Sequence, residues 1–207
     1  MVTVQQSSRR LTVSQIECFD REGYLVLPDL FDNEDLQPAI DDINLAIDAK
    51  VAELLAAGTL LRSYAEFDFE HRLAQISHQT DQVARSLWNG VLHGPGFFAL
   101  ITNPKLLDVA ESLCGEELIA SSTYRLRPKI PNYNYGAVPW HQDSGYFEPY
   151  CDKSLVLTVW IPLVDSDAES CARGTPPRPS AIGGASGGSA RPTILAASSD
   201  QGQSRTL

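Results

Sequence analysis

The chain has 207 residues, of which 43% are hydrophobic and 20% charged, so it can bury one core, and a second independent domain is not expected. Its formal net charge of −10 at pH 7 repels nucleic-acid phosphates and anionic membrane surfaces, and we find no Lys/Arg cluster that would offset this charge. We therefore expect a small-molecule substrate, neutral or cationic, rather than nucleic acid or a membrane.

The cysteines are widely spaced and form no C-x-x-C pair, which favours reduced thiols over a zinc knuckle or a disulfide framework. They are Cys18, Cys114, Cys151 and Cys171. The N-terminus has no apolar leader, and no stretch reaches membrane-spanning length. These features predict a soluble, cytoplasmic protein.

The first predicted helix leads into a strand. Ser14 and Glu17 have capping-box spacing, and Gly23 is suited to end the helix. The sequence that follows, "YLVLPDLF", is typical of an extended segment.

Three more helices are predicted in the first half of the chain. Apolar residues recur every three or four positions from Asn33 to Ala57, and Gly58 supplies a stop. A helix is expected over about 69–88, and another from Asn103-Pro104 to Gly115.

After Gly115 the pattern changes to strands. "ELIASSTYRLRP" and "SLVLTVWIPLV" are rich in β-branched and aromatic residues and are bounded by Pro, Asn and Gly. The chain thus combines a helical first half with a later β region.

A candidate metal pair lies between these predicted strands, in "VPWHQDSGYF". On an extended strand, His141 and Asp143 would project from the same face. An imidazole and a carboxylate are two of the three protein ligands that a non-heme Fe(II) centre uses. The alternative is a hydrogen-bonded structural His-Asp pair.

Several motifs together resemble the phytanoyl-CoA dioxygenase family of Fe(II)/2-oxoglutarate oxygenases. They are "FDREGYLVLPDLF", "NGVLHGPGFFALITNPKLLDVAESLCG", "PWHQDSGYFEPY" and "LTVWIPLVDSDAES". The resemblance covers about residues 15–169. It implies an α+β fold, a double-stranded β-helix (jelly roll) with packed N-terminal helices. It also implies His141 and Asp143 as the first two iron ligands and Trp160 as the strand residue beside 2-oxoglutarate.

The implied activity is hydroxylation of a small organic metabolite with Fe(II) and 2-oxoglutarate. For Trp160 the alternative role is a core aromatic. Trp140, Tyr146 and Phe147 either line the substrate pocket or pack in the core.

The remaining histidines are interpreted as structural. His71 and His78 are expected at or near the surface, and His93 is expected to anchor a turn through hydrogen bonds. Lys129 either is solvated or attracts an anionic cosubstrate.

The second half of the implied site is missing from the sequence. The family places a third iron ligand, a histidine, well downstream, close to an arginine that holds 2-oxoglutarate, but no histidine follows His141 here. Residues 170–207 are rich in Gly, Ala, Ser and Pro, and we expect them to be largely disordered. The interpretation is an incomplete domain over 1–169 with a low-complexity tail, truncated or frame-shifted relative to the family.

Two functions remain open. One is a dioxygenase of this family, and the other is a catalytically inactive fragment or pseudoenzyme that acts at most as a binding module. They differ in the iron affinity that each predicts. Neither the substrate nor the oligomeric state follows from the sequence.

Overall fold

The computed structural model describes residues 9–90, 92–121, 124–130 and 154–164, together with the backbone of 193–198. Six helices are present in this part of the chain: α1 (Val13–Glu22), α2 (Asn33–Ala56), α3 (Phe69–Ser77), α4 (Gln82–Asn89), α5 (Pro95–Ile101) and α6 (Pro104–Cys114). The strands are β1 (Tyr24–Leu27), β2 (Val156–Trp160) and β3 (Thr193–Ser198).

Helix α1 and strand β1 confirm the predicted helix-to-strand transition, but the predicted cap is wrong. The N-cap is Thr12, whose side chain accepts from the Gln15 backbone N–H while the Gln15 side chain accepts from the Thr12 backbone N–H. Two capping-box patterns overlap here, and the chain uses the one that starts two residues earlier. Gly23 ends the helix at φ 76°, a left-handed conformation that glycine adopts without a steric penalty.

Helix α2 is the centre of the helical core and confirms the predicted apolar stripe. Its N-terminus is closed by a reciprocal capping box between Asp32 and Asp35. The apolar residues that recur every three or four positions are buried: Leu36, Ile40, Ile43, Ile47, Val51 and Leu54. Leu55, an apolar residue at the end of the same pattern, is instead exposed.

The single helix predicted over 69–88 is wrong, because two helices occupy this range. Helix α3 ends at His78, and α4 starts after Asp81, whose carboxylate pairs with Arg85 one turn later. The Thr80 hydroxyl accepts from the Gln82 backbone N–H. Such local side-chain contacts favour a new helix start over continuation of the first helix.

Helix α5 was not predicted. It begins at Gly94-Pro95, and the carboxylate of Asp42 on α2 accepts hydrogen bonds from the backbone N–H groups of Gly96 (2.7 Å) and Phe97 (3.1 Å). Gly96 allows the two helices to approach, because a Cβ at this position would lie 2.0 Å from the Pro38 carbonyl oxygen. Helices α2 and α5 are therefore joined by backbone contact as well as by side chains.

Helix α6 confirms the prediction at both ends. Asn103 is the N-cap and accepts from the Lys105 backbone N–H, Pro104 occupies the first turn, and Gly115 follows the last residue. The ammonium of Lys105 forms ion pairs with both Asp32 and Asp35, which ties the start of α6 to the start of α2.

The described strands form an antiparallel sheet in the order β1-β3-β2. "SLVLTVWIPLV" was correctly predicted to contain a strand, β2. The strand predicted in "ELIASSTYRLRP" is wrong for its described residues. Residues 117–121 and 124–128 do not belong to a strand. Within the predicted low-complexity tail, the structure has the central strand β3, which composition did not indicate. The remainder of 170–207 lies outside the described residues, so disorder there stays a prediction, as does the jelly roll.

The core has three clusters: a helical one, one shared between helices and sheet, and a smaller one between α2 and α5 that contains Leu36, Ile40 and Leu100. The first is built around Ile47, Ile76 and Val83, and the second around Phe19, Leu25 and Val109. Among the described residues, no helix is both long enough and apolar enough to cross a membrane.

Candidate functional site

Strand β2 places Trp160 on the face of the sheet that points away from the helices. The alternate residues Leu155, Leu157 and Val159 pack against the helix-sheet cluster, whereas Thr158 is exposed and Trp160 is half-buried. Successive side chains of a strand point to opposite faces, so Thr158 and Trp160 share the face opposite to this cluster.

The sheet register also places a residue of β1 on the same face as Trp160. Trp160 and Val26 both pair with position 194 of β3, one from each side. Residues directly opposite each other project from the same face, and Val26 is only partly buried whereas its neighbours Leu25 and Leu27 are buried. Trp160 of β2 and Val26 of β1 therefore lie on the same, non-helical face of the sheet.

The extended segment 124–130 is anchored to the helices through Tyr124. Its hydroxyl donates to the Leu92 carbonyl oxygen, which leaves its own oxygen to accept from His93 Nδ1 at 3.0 Å. Its ring stacks on Phe97, with centroids 5.7 Å apart. The expectation that His93 makes an anchoring hydrogen bond is confirmed, and Tyr124, which sequence reasoning missed, is the residue it holds.

Basic residues alternate with the anchoring residues of this segment. Tyr124 and Leu126 pack against the helical core, Arg125 and Lys129 are exposed, and Arg127 is half-buried. The Arg127 guanidinium lies over the Trp88 ring, 4.2 Å from its centroid. Burial, together with the charge of Arg125, lowers the pKa of Arg127 below its usual value.

The two histidines of α3 are exposed, as expected. His71 contacts the Asp68 carboxylate at 2.6 Å, and this contact lowers the pKa of Asp68, while His78 caps the end of the helix. Sequence reasoning overlooked Asp68 as a carboxylate beside His71. Within the described residues, no group of three or more His, Cys, Asp or Glu side chains is placed to hold a metal ion.

An open cleft of about 420 Å³ lies between α2, the start of α3 and Leu163. Its polar lining includes Gln37, Asn44, Asp68 and Glu70. The cleft does not include Trp160, so it is separate from the non-helical face of β2.

The proposed iron ligands, His141 and Asp143, lie outside the described residues, as do Trp140, Tyr146 and Phe147. Of the predicted site residues, the structure therefore places Trp160 alone. The pairing of His141 with Asp143 stays a prediction.

Comparison with known proteins gives one family. The family model described as phytanoyl-CoA dioxygenase (PhyH) matches residues 19–173, well over half of the chain. Neither the curated proteins nor the solved structures gave a significant match. The matched span includes the last turn of α1, all of α2 to α6, β1, β2 and the His141-x-Asp143 motif. The chain therefore belongs to the phytanoyl-CoA dioxygenase family, whose members are in general Fe(II)- and 2-oxoglutarate-dependent oxygenases.

Proposed function

We propose that the chain is an Fe(II)/2-oxoglutarate-dependent dioxygenase that hydroxylates a small organic metabolite. The observation that carries the proposal is the family match over residues 19–173, a span that contains both members of the His-x-Asp motif. His141 and Asp143 would hold the iron, and Trp160 would lie beside 2-oxoglutarate.

The donor types fit the metal. A neutral imidazole and a carboxylate are ligands that Fe(II) accepts, and together they leave coordination positions for a cosubstrate. Iron and 2-oxoglutarate, when bound, supply the oxidation of an unactivated C–H bond. The chain's own residues would bind and orient the substrate and exclude water around it.

The position of Trp160 supports its proposed role. It is half-buried on the non-helical face of β2, where its ring can cover a small acid without disturbing the packing of Leu157 and Val159 on the helices. An indole combines an apolar face that excludes water with one N–H donor. The double-stranded β-helix of this proposal would place that face inside the barrel.

A second candidate is an inactive chain that acts at most as a binding module. The sequence has no histidine between Gln142 and Leu207, so the third iron ligand of the family has no counterpart in the sequence. Two protein ligands make a weaker metal site than three, because one bond and part of the imposed geometry are lost.

Metal titration tests the ligand assignment. Co(II), a spectroscopic substitute for Fe(II), is titrated into the purified chain and followed by its visible absorption. We expect His141→Ala and Asp143→Ala each to weaken Co(II) binding by about tenfold or more, since each removes a direct ligand. The matched control is His78→Ala, which removes an exposed imidazole at the end of α3. Equal affinity in all four proteins would refute the assignment.

Turnover separates the two candidate functions. Succinate formation from 2-oxoglutarate that depends on Fe(II) and is abolished by Asp143→Ala supports the dioxygenase. Metal binding without succinate supports the inactive binding module. Because the sequence supplies only two of the family's three iron ligands, we expect succinate formation by the 207-residue chain to be slow but dependent on Asp143.

A further inference from the structure

Three cations stand close together in the segment that precedes the His-x-Asp motif. Arg125, Arg127 and Lys129 occupy alternate positions, and the residues between them do not form a strand. Tyr124 and Leu126 pack on the helical core, whereas Arg125 and Lys129 are exposed and Arg127 is half-buried. These three residues were not identified from the sequence as a basic cluster, and only Lys129 was considered as a possible contact for an anion.

In their ion pairing, these cations differ from the basic residues between Arg10 and Lys105. Every Lys and Arg from Arg10 to Lys105 forms an ion pair with an Asp or Glu side chain. In the part of the chain that the structure describes, none of the three cations between 125 and 129 has such a carboxylate. In a chain with a net charge of −10, this is an unusual local excess of positive charge.

Arg127 is held in a defined orientation. Its guanidinium lies over the Trp88 ring at 4.2 Å, and Trp88 belongs to helix α4. Stacking occupies one face of the planar guanidinium but leaves the N–H groups at its edge able to donate. A guanidinium in this arrangement can donate two parallel hydrogen bonds to an oxyanion.

We propose that Arg125, Arg127 and Lys129 form a binding subsite for the carboxylate or phosphate group of a small anionic metabolite. Arg127 supplies the oriented donor pair, and the two exposed cations attract the anion to it. The subsite revises the sequence-based preference for a neutral or cationic ligand. It does not depend on iron, so its failure would leave the proposed dioxygenase function intact.

Anion titration of the metal-free protein tests the subsite. Citrate and inorganic pyrophosphate are titrated separately at low ionic strength, with heat of binding and tryptophan fluorescence as readouts. We expect at least one anion to bind with a Kd below about 10 mM, and Arg127→Gln and Arg125→Gln each to raise this Kd by about fivefold or more. The anion that binds more tightly tells a carboxylate ligand from a phosphate ligand.

Arg62→Gln is the matched control. Arg62 also lies over an aromatic ring, at 4.7 Å from the Tyr64 centroid, but it is already paired with Glu66. The substitution removes the same charge and a similar ring contact, so the Kd should change by less than about twofold. Arg125 is exposed, so Arg125→Gln keeps the test valid if Arg127→Gln fails to fold. The proposal is overturned if neither anion binds, or if Arg62→Gln weakens binding as much as Arg125→Gln.

Discussion

The helical region from Thr12 to Gly115 and the extended segments 124–130 and 154–164 are held by different kinds of interaction. Helix ends are closed by neighbours in sequence, such as Thr12 with Gln15. The extended segments depend on distant partners: Tyr124 contacts Leu92 and His93, and β2 pairs with β3. Local sequence signals therefore suffice to place most helices, whereas the extended part of the fold depends on contacts that no local pattern encodes.

The largest expected effect tests the close contact between α2 and α5 in the first region. Gly96→Ala introduces a methyl group 2.0 Å from the Pro38 carbonyl oxygen, so α2 and α5 must move apart. We expect a loss of about 3 kcal/mol in the free energy of unfolding, measured by urea denaturation. Gly23→Ala is the control, because its Cβ meets open space and only the positive φ opposes it, at a cost of about 1 kcal/mol. Equal losses would mean that the close approach is absent.

The second prediction tests the two faces of β2. Leu157→Ala removes a side chain packed on the helix-sheet cluster and should cost about 2 kcal/mol of unfolding free energy. Thr158→Ala changes the exposed neighbour and should cost less than about 0.5 kcal/mol. A reversed order would place the helices on the other face and remove the support for Trp160.

A third prediction concerns the cap that one helix provides for another. Asp42→Ala removes the acceptor of the Gly96 and Phe97 backbone N–H groups and should cost about 1.5 kcal/mol in thermal or urea unfolding. Asp41→Ala is the matched control, since this exposed carboxylate accepts only from the Gln37 side chain among the hydrogen bonds of the described residues. If the two substitutions cost the same, Asp42 does not cap α5.

The smallest expected effect is a pH dependence in the ion pairs of Lys105. The hydrogen bond from Lys105 lowers the pKa of Asp32, and burial opposes but does not cancel the rise that Asp32 and Asp35 cause in the pKa of Lys105. The stabilisation from Asp32 is complete above the carboxyl's unfolded pKa and is lost as pH falls through the lowered folded pKa.

Lys105→Met should therefore lose about 0.5 kcal/mol at pH 7 relative to the native chain, and the difference should shrink on acidification. Urea unfolding between pH 7 and pH 3 measures it. Lys50→Met, which removes a pair with an exposed Glu53 on the same helix, should show a smaller change. A difference that grows as pH falls would contradict the assigned sign.

The sequence predicted most of the helical region because its signals are local. The Asn33–Ala56 stripe, the Asn103-Pro104 start and the Gly23 stop each involve residues within a few positions of one another. Helix α5 was missed because its signals are not local. Helix α5 is too short for a periodic pattern, and its cap comes from Asp42 on another helix.

The extended region was predicted less well because its partners are remote. β2 was correctly identified from its β-branched residues, but "ELIASSTYRLRP", which also contains β-branched and aromatic residues, forms no strand in its described part and is anchored through Tyr124 and Leu126. Strand β3 lies in a Gly/Ser-rich context that gave no signal for pairing with β1 and β2. For the candidate site, the sequence predicted the family and Trp160. The contact of Arg127 with Trp88 could be recognised only in three dimensions, because the two residues are far apart in the sequence.

The central position of β3 sets an order of events during synthesis. Tyr24–Leu27 leaves the ribosome long before its partner Thr193–Ser198, because about 165 residues separate the two strands. At ordinary translation rates this interval is on the order of ten seconds, long compared with helix formation. During that time the nascent chain holds a helical body with an unfinished sheet, a state in which chaperones that protect exposed strand edges would be most effective.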